Sequence, residues 1–270
     1  MNIIQLSLLK NSGCGGGCKF CGLSKTEATG RETTVTASDF QKAYDQASAA
    51  EARVELVFQT VGANVIEVLN FLLEMAEVIK RNSHVELAIN PGICTRPDFF
   101  DQIANLGVKR YRNNLECSRK LFAEMVPKRP LAQDEKIKSL LLAAEAGLSV
   151  DTGWLCGLGE TESDVADMLN LMEMARPDAI TLNYFDPGES AEVFAHTIPA
   201  VERGLEYIGS LRGRFPNVEL TLGGAYDLWL GSHLSGVSNI DGLYLGTFLD
   251  HGLRSKSWNS KENLAVVKAG

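Results

Sequence analysis

The alternation of strand-like and helix-like runs is the sequence feature that most restricts the fold of this chain. Short β-rich runs are followed by amphipathic stretches with helical spacing of apolar residues, and this continues along all 270 residues without a Gly-, Pro- or Ser-rich linker. We expect eight strands, at residues 3–9, 54–59, 85–90, 108–113, 149–155, 179–183, 218–222 and 242–245. Repeated βα units of this number predict an α/β fold, namely a single (β/α)8 barrel of the TIM type over residues 1–270. The alternative is an open doubly wound sheet.

Helices are expected between and after these strands, at residues 38–52, 64–80, 96–105, 134–146, 162–174, 200–212, 226–234 and 260–268. Gly107 and Gly147 follow two of them as C-terminal caps, while Thr161 and Ser163 precede acidic first turns. In a TIM-type barrel the functional residues lie in the loops after the strands. The loop after the first strand is therefore the first place to look for chemistry.

Charge and hydropathy narrow the class of partner. With 26 basic against 34 acidic residues the net charge is -8, so no broad basic face is expected for nucleic acid. No apolar run approaches the roughly 18 residues that span a bilayer, and the N-terminus lacks the order of a signal peptide. We therefore expect a cytoplasmic protein without a membrane segment. In that reducing compartment the six cysteines are ligands, catalysts or buried thiols rather than disulfides.

Three of the cysteines lie in the loop after the first strand, which we call the cysteine loop. Cys14, Cys18 and Cys21 have the spacing C-x3-C-x2-C. Thiolate is the ligand that iron-sulfur clusters require, and three thiolates leave one iron of a four-iron cluster open. The glycines at 15–17 let the backbone wrap closely and leave amides free to donate to sulfur. The alternative is structural zinc, which usually takes a fourth ligand and paired C-x2-C knuckles.

This motif, placed directly after the first strand of a barrel-like chain, resembles that of the radical S-adenosylmethionine (SAM) superfamily. The resemblance implies that Cys14, Cys18 and Cys21 bind a 4Fe-4S cluster whose open iron is chelated by SAM. Reductive cleavage of SAM then yields a 5′-deoxyadenosyl radical that abstracts hydrogen. The resemblance also implies that Phe20 packs near the adenine, and that a ferredoxin or flavodoxin supplies the electron.

Two later segments resemble the biotin synthase-like group, which includes biotin synthase, lipoyl synthase, methylornithine synthase and the hydrogenase-maturation enzymes. Residues 114–118 read Asn-Leu-Glu-Cys-Ser, similar to the Asn-Leu-Asp-Thr-Ser segment of that group, and residues 157–161 read Gly-Leu-Gly-Glu-Thr after the fifth strand. The resemblance implies four further cofactor contacts: Asn114, Glu116, Arg129 and Gly157. It also implies that Asn183 faces the substrate.

At several positions this sequence lacks residues that the biotin synthase-like group uses for its reaction. The positions that match the deep 2Fe-2S cluster ligands of biotin synthase are Val57, Ala88, Asp151 and Gly224. That cluster is therefore not expected. Where the group places an arginine for the methionyl carboxylate of SAM, this chain has Asp134, which leaves Arg129 or Lys136 as substitutes.

The remaining three cysteines, Cys94, Cys117 and Cys156, each follow the end of a predicted strand. Two interpretations stay open: they bind an auxiliary iron-sulfur cluster that donates sulfur, or they are separate buried thiols. Our leading expectation is C–H activation with sulfur insertion, similar to lipoyl or biotin synthase, on a small-molecule or carrier-protein-bound substrate. The alternative is a carbon-skeleton rearrangement or fragmentation without sulfur insertion, as in methylornithine synthase or hydrogenase maturation. A third possibility is an iron-sulfur scaffold or redox sensor without turnover.

Overall fold

The eight strands close into one barrel. A computed structural model of the chain describes residues 2–11, 17–21, 35–48, 54–61, 64–185, 201–223 and 240–247. The strands are β1 Asn2–Asn11, β2 Val54–Val61, β3 Glu86–Asn90, β4 Arg110–Arg112, β5 Ser149–Cys156, β6 Ala179–Tyr184, β7 Glu219–Gly223 and β8 Gly242–Thr247. All pair in parallel with their neighbours in chain order, and β8 pairs with β1 through Asn2 opposite Leu243. The predicted (β/α)8 barrel is confirmed, and the open sheet is excluded because the ring is closed.

The helices surround this ring. They are α1 Ala37–Ser48, α2 Val65–Glu74, α3 Ala76–Arg81, α4 Pro97–Asn105, α5 Arg119–Met125, α6 Ala132–Glu145, α7 Glu162–Ala175 and α8 Val201–Arg214. The single helix predicted at 64–80 is two helices, because Met75 takes φ -89° and ψ 4° instead of helical angles. Helix α5 was not predicted. The helices predicted at 226–234 and 260–268 lie outside the described residues, and the single domain over 1–270 stays a prediction.

None of the helices in the described ranges combines the length and the apolar character that crossing a bilayer requires.

Local signals set the ends of several helices. The Thr161 hydroxyl accepts the Asp164 N–H while the Asp164 carboxylate accepts the Thr161 N–H, which is the capping box that begins α7. The same carboxylate accepts the hydroxyl of Ser118, the N-cap of α5, at 2.6 Å. Gly107 and Gly147 follow α4 and α6 with φ of 99° and 81°, as predicted for glycine caps.

Outward-facing strand residues form the main core with the helices. Phe58 of β2 packs against Phe40 and Phe71 with ring centroids 5.8 and 5.0 Å apart. Trp154 of β5 packs on Tyr207 of α8 at 4.6 Å. Aromatic pairs of this kind contribute roughly 0.5–1.5 kcal/mol each beyond the area they bury. Since successive strand residues face opposite sides, the neighbours of these aromatics line the inside of the barrel.

Candidate active site

The chain that follows β4 continues beside β5 before it turns away. Glu116 forms an isolated parallel bridge with Trp154. Its N–H donates to the Gly153 carbonyl at 3.0 Å, and its own carbonyl accepts the Leu155 N–H at 2.6 Å. Its φ is 74°, a left-handed conformation that costs a residue other than glycine on the order of 1–3 kcal/mol. These bonds hold a strained residue at the carboxyl end of the barrel, in what we call the 114–116 turn.

Two glycines make room for amide side chains. A Cβ on Gly153 would lie 2.4 Å from Asn114 Oδ1, and a Cβ on Gly223 would lie 2.6 Å from Asn183 Oδ1. Real Cβ contacts are not that short, so only glycine leaves this space. Asn114 therefore lies over β5, and Asn183 lies over β7. The structure places both of these sequence-predicted residues on the inner wall near the mouth.

Lys136 of α6 reaches the same point. Its ammonium donates to the Asn114 carbonyl at 2.5 Å and lies 3.6 Å from Glu116 Oε1. The two side chains are largely buried, with 14% of Lys136 and 18% of Glu116 exposed. Burial raises the pKa of Glu116, while the Lys136 charge and a hydrogen bond with Asn114 oppose that rise. The turn therefore presents an amide and a carboxylate beside a partly buried cation.

The described part of the cysteine loop rests on the end of α5. The Lys19 N–H donates to the Met125 carbonyl at 2.9 Å. The Cys21 N–H donates to the Cys18 carbonyl at 3.2 Å, which closes a turn between two half-buried cysteines. Cys14 lies outside the described residues. Two of the three predicted cluster ligands are thus placed within one turn.

The cysteine loop meets the 114–116 turn through a small apolar cluster, which we call the α5 cluster. Its buried members are Cys117, Leu121, Phe122, Val126, Ala132, Leu158 and Phe185. Cys18 and Phe20 pack against it. The Lys136 ammonium lies 5.4 Å from the centroid of its Phe122 ring, within the range of a cation–π contact. The structure therefore brings Cys18, Phe20 and the partners of Lys136 to one platform.

The loop after β5, residues 157–161, closes around a buried carboxylate. Gly157 and Gly159 have φ of 99° and 87°. The Gly157 N–H donates to Glu160 Oε1 at 2.7 Å, and Arg203 of α8 donates to the Glu160 carbonyl at 3.2 Å. Burial raises the pKa of Glu160, and backbone N–H groups oppose the rise. Because Leu158 belongs to the α5 cluster, this loop also lies on the platform of the cysteine loop.

The structure separates the two cations that could replace the missing arginine. Arg129 is 51% exposed and pairs with Glu135 at 2.8 Å. Asp134 pairs with Arg119 at 2.7 Å, also at the surface. Lys136, in contrast, faces the 114–116 turn. The predicted cofactor contact Arg129 therefore lies on the outer side of the site.

Cys94, Cys117 and Cys156 are not brought together. Among the residues that the structure describes, no three His, Cys, Asp or Glu side chains are grouped so that they could hold a metal ion. The Cys94 N–H donates to Ser139 Oγ of α6, and the Cys156 thiol donates to the Asn183 carbonyl. Burial raises the pKa of all three thiols, which disfavours the thiolate that a cluster binds. Their positions agree with separate buried thiols and do not fit a second cluster.

A group of charged residues that the sequence did not single out lies deeper in the barrel. We call it the floor network, and its members are Glu55, Arg110, Arg112, Asp151 and Glu219. Arg112 lies 2.5 Å from Glu55 and 3.0 Å from Asp151. Arg110 pairs with Glu55 at 3.4 Å and with Glu219 at 3.1 Å. The available signal was the charge at alternate positions of β4, 110 and 112, since the strands of a parallel barrel are usually apolar.

Asp151 connects the floor network to the question of a second cluster. Burial raises its pKa to about 6, although Arg112 and Arg110 lower it. Its carboxylate also lies 3.3 Å from the Thr181 hydroxyl. It stands at one of the positions that match the deep cluster ligands of biotin synthase. An ion-paired carboxylate with Val57 and Ala88 does not fit that cluster, which needs thiolates.

Comparisons with known proteins identify a family and several relatives. A family model described as the Radical SAM superfamily matches residues 9–172, more than half of the chain. The biotin synthase of Corynebacterium urealyticum is 27% identical over 247 residues, which cover 89% of this chain and 72% of that protein. The biotin synthase of Corynebacterium glutamicum is 26% identical over 245 residues, with the same two coverages of 89% and 72%.

Solved structures share the fold at low identity. The FeFe-hydrogenase maturase HydG from Carboxydothermus hydrogenoformans superposes with a TM-score of 0.78 at 13% identity, over 98% of this chain and 65% of that chain. This chain therefore spans just under two thirds of the maturase. Methylornithine synthase (PylB) superposes with a TM-score of 0.76 at 17% identity, over 99% of this chain and 82% of that chain. The chain thus belongs to the radical SAM superfamily and resembles its biotin synthase-like group.

Proposed function

We propose that this radical SAM enzyme breaks an unactivated C–H bond of a small-molecule or carrier-bound substrate without inserting sulfur. The observation that carries the proposal is the meeting of three segments on the α5 cluster: the cysteine loop, the 114–116 turn and the 157–161 loop. Since all three lie at the carboxyl ends of β1, β4 and β5, one bound cofactor can contact them together.

Cys14, Cys18 and Cys21 would hold the 4Fe-4S cluster that the family uses. The half-buried Cys18 and Cys21 suit this role because they share one turn and can donate as thiolates. When bound, the cluster and SAM supply the one-electron chemistry and the 5′-deoxyadenosyl radical that removes hydrogen. A ferredoxin or flavodoxin as electron donor and a cytoplasmic location belong to the same proposal.

The chain's own residues would bind and orient SAM. The Glu116 carboxylate can accept two ribose hydroxyls, and the Asn114 amide can both donate and accept. Phe20, which packs on the α5 cluster, would lie near the adenine. Gly157 would allow close approach of the adenine to the backbone. Arg129 could contact the methionyl carboxylate only after leaving Glu135, its present partner, so we do not assign it that contact.

We rank sulfur insertion second because the described residues offer no ligand set for a sulfur-donor cluster. The deep position that would carry a thiolate in biotin synthase carries Asp151, paired with Arg112. Sulfur insertion is the second candidate, because the biotin synthase of Corynebacterium urealyticum is 27% identical over 247 residues. It requires a sulfur source outside the described residues.

Iron content and SAM cleavage test the proposal. The anaerobically reconstituted wild type should hold about four irons per chain and release 5′-deoxyadenosine when reduced with dithionite. The triple variant Cys14→Ala/Cys18→Ala/Cys21→Ala should lose both. The triple variant Cys94→Ala/Cys117→Ala/Cys156→Ala is the matched control and should keep both.

Each alternative has its own result. Iron well above four per chain in the wild type, with the excess lost from the control variant, would favour sulfur insertion. A cluster without release of 5′-deoxyadenosine above background would indicate a scaffold or sensor and contradict the proposal.

A further inference from the structure

Lys136 occupies a buried place on a helix whose neighbouring charges are exposed. Helix α6 turns Ile137, Leu140 and Ala143 toward the barrel. Asp134, Glu135 and Lys138 on the same helix are exposed. Lys136 lies between these two faces with 14% of its side chain exposed. Removing an ammonium from water is costly, so the groups around it must offset that cost.

Those groups are the ones proposed to bind the cofactor. The ammonium donates to the Asn114 carbonyl at 2.5 Å and faces Glu116 Oε1 at 3.6 Å. The ammonium also lies 5.4 Å from the centroid of the Phe122 ring. Cys18 and Phe20 pack against the cluster that contains Phe122. One cation thus links the backbone before Glu116, the Glu116 carboxylate and the platform of the cysteine loop.

The backbone contacts of the 114–116 turn do not set the direction of the Glu116 side chain. Glu116 has a φ of 74°, and β5 holds it only through backbone bonds to Gly153 and Leu155. Those bonds fix where the turn lies but not where the carboxylate points. The ammonium contacts both the turn's backbone and the carboxylate, so it can set that direction.

We propose that Lys136 is a positioning residue, whose ammonium holds the Glu116 carboxylate in the orientation that receives the ribose hydroxyls of SAM. The inference rests on the proposed function. A carboxylate offers about four lone-pair sites, so Glu116 can keep its contact with Lys136 and still accept two hydroxyls. Arg129 does not share this role, because it pairs with Glu135 at the surface.

Three probes separate the parts of SAM that Lys136 serves. Binding of SAM, 5′-deoxyadenosine and methionine is measured by equilibrium dialysis on the anaerobically reconstituted protein. 5′-Deoxyadenosine has the ribose without the methionyl carboxylate, and methionine has the carboxylate without the ribose. The variant is Lys136→Met, and Lys138→Met, two residues along and exposed, is the matched control.

Lys136→Met should weaken binding of SAM and of 5′-deoxyadenosine by about ten- to a hundredfold, which is the loss expected for a hydrogen-bonded charge. Methionine binding should stay unchanged, and Lys138→Met should leave all three affinities unchanged. Lys136→Arg, which keeps the charge, should recover part of the loss.

A loss for SAM and methionine with 5′-deoxyadenosine unchanged would overturn the inference, because Lys136 would then contact the methionyl carboxylate. Unchanged affinities would overturn it as well. Should Lys136→Met fail to fold, Lys136→Arg, Glu116→Gln and the double variant decide: non-additive effects on 5′-deoxyadenosine binding support the inference, and additive effects overturn it. A cluster-loaded wild type that binds no SAM would contradict the proposed function itself.

Discussion

The floor network and the 114–116 turn are two polar regions of one barrel that are built in opposite ways. In the floor network, Arg110 and Arg112 lie between three carboxylates at 2.5–3.9 Å. At the turn, Glu116 faces one ammonium at 3.6 Å, and its backbone is strained. The charged groups of the floor network pair with one another, whereas the Glu116 carboxylate at the turn can still accept hydrogen bonds from a ligand.

The position of each region along the strands explains the difference. Arg110 and Glu219 are the first residues of β4 and β7, while the 114–116 turn follows the end of β4. In TIM-type barrels the amino ends of the strands serve stability and the carboxyl ends carry the site. Variants of the floor should therefore change the free energy of unfolding, and variants of the mouth should change ligand affinity.

Removal of a floor cation should have the largest effect. Arg112→Met leaves the buried Glu55 and Asp151 without one of their cations and should lower the free energy of unfolding by about 3–5 kcal/mol. Urea denaturation followed by circular dichroism measures this. The control is Arg214→Met, which breaks an exposed pair with Glu173 and should cost much less. Equal costs for the two variants would contradict the role given to the floor.

Asp151 should make the free energy of unfolding fall as the pH rises. Its pKa is raised from 3.8 to about 6 in the folded chain, chiefly by burial, so the native state binds this proton more tightly than the unfolded state. The resulting stabilisation is complete below about pH 4 and is lost as the pH rises through about 6, on the order of 1–3 kcal/mol in total. Asp151→Asn removes this contribution.

The free energy of unfolding of the wild type, measured relative to Asp151→Asn, should therefore fall between about pH 4 and pH 7. Urea denaturation of both proteins at several pH values provides the comparison. A difference that stays constant, or rises with pH, is incompatible with a raised pKa.

Gly153→Ala should disturb the 114–116 turn at the mouth of the barrel more than the floor network. The new Cβ would lie 2.4 Å from Asn114 Oδ1, so the amide must move, at a cost of about 1–3 kcal/mol in stability and with weaker SAM binding. Thermal unfolding and equilibrium dialysis measure the two effects. In Gly209→Ala on α8 the Cβ has no atom within 4 Å, so this control should be stabilised by about 0.5–1 kcal/mol. Full SAM affinity in Gly153→Ala would remove Asn114 from the proposed site.

Arg129→Gln should have the smallest effect. Its pair with Glu135 is exposed, so the free energy of unfolding should change by less than about 1 kcal/mol. SAM affinity should stay near that of the wild type, in contrast to Lys136→Met. A clear loss of SAM and methionine binding in Arg129→Gln would show instead that the guanidinium turns inward to hold the methionyl carboxylate.

Local patterns predicted most of the fold. The alternation of strands and helices predicted all eight strands, and the glycine caps at Gly107 and Gly147 were located correctly because each depends on a few adjacent residues. Helix α5 escaped prediction because it has only seven residues, too few for a helical period to appear. The break at Met75 also has no sequence signal, since no glycine or proline marks it.

The site was less predictable where it depends on the direction in which a side chain points. The motif singled out Cys18 and Cys21, and the resemblance singled out Asn114 and Glu116; the structure places these residues around the α5 cluster, and their roles stay predictions. The resemblance did not separate Arg129 from Lys136, because Arg129 precedes α6, which begins at Ala132, and the direction of either side chain depends on tertiary contacts that the sequence does not show. The floor network was missed because its members come from four strands and meet only when the barrel closes.

Asp164 links the starts of two helices at the mouth of the barrel. Its carboxylate begins α7 through the Thr161 capping box and also accepts the hydroxyl of Ser118, which begins α5. Helix α5 carries the cysteine loop, and α7 follows the 157–161 loop directly. A tilt of either helix alone would break a bond to this side chain, so we expect a displacement at one loop to be passed to the other. The Arg119 N–H donates to Asp167 of α7 as well, so two carboxylates of one helix join it to the start of α5 and couple the two loops.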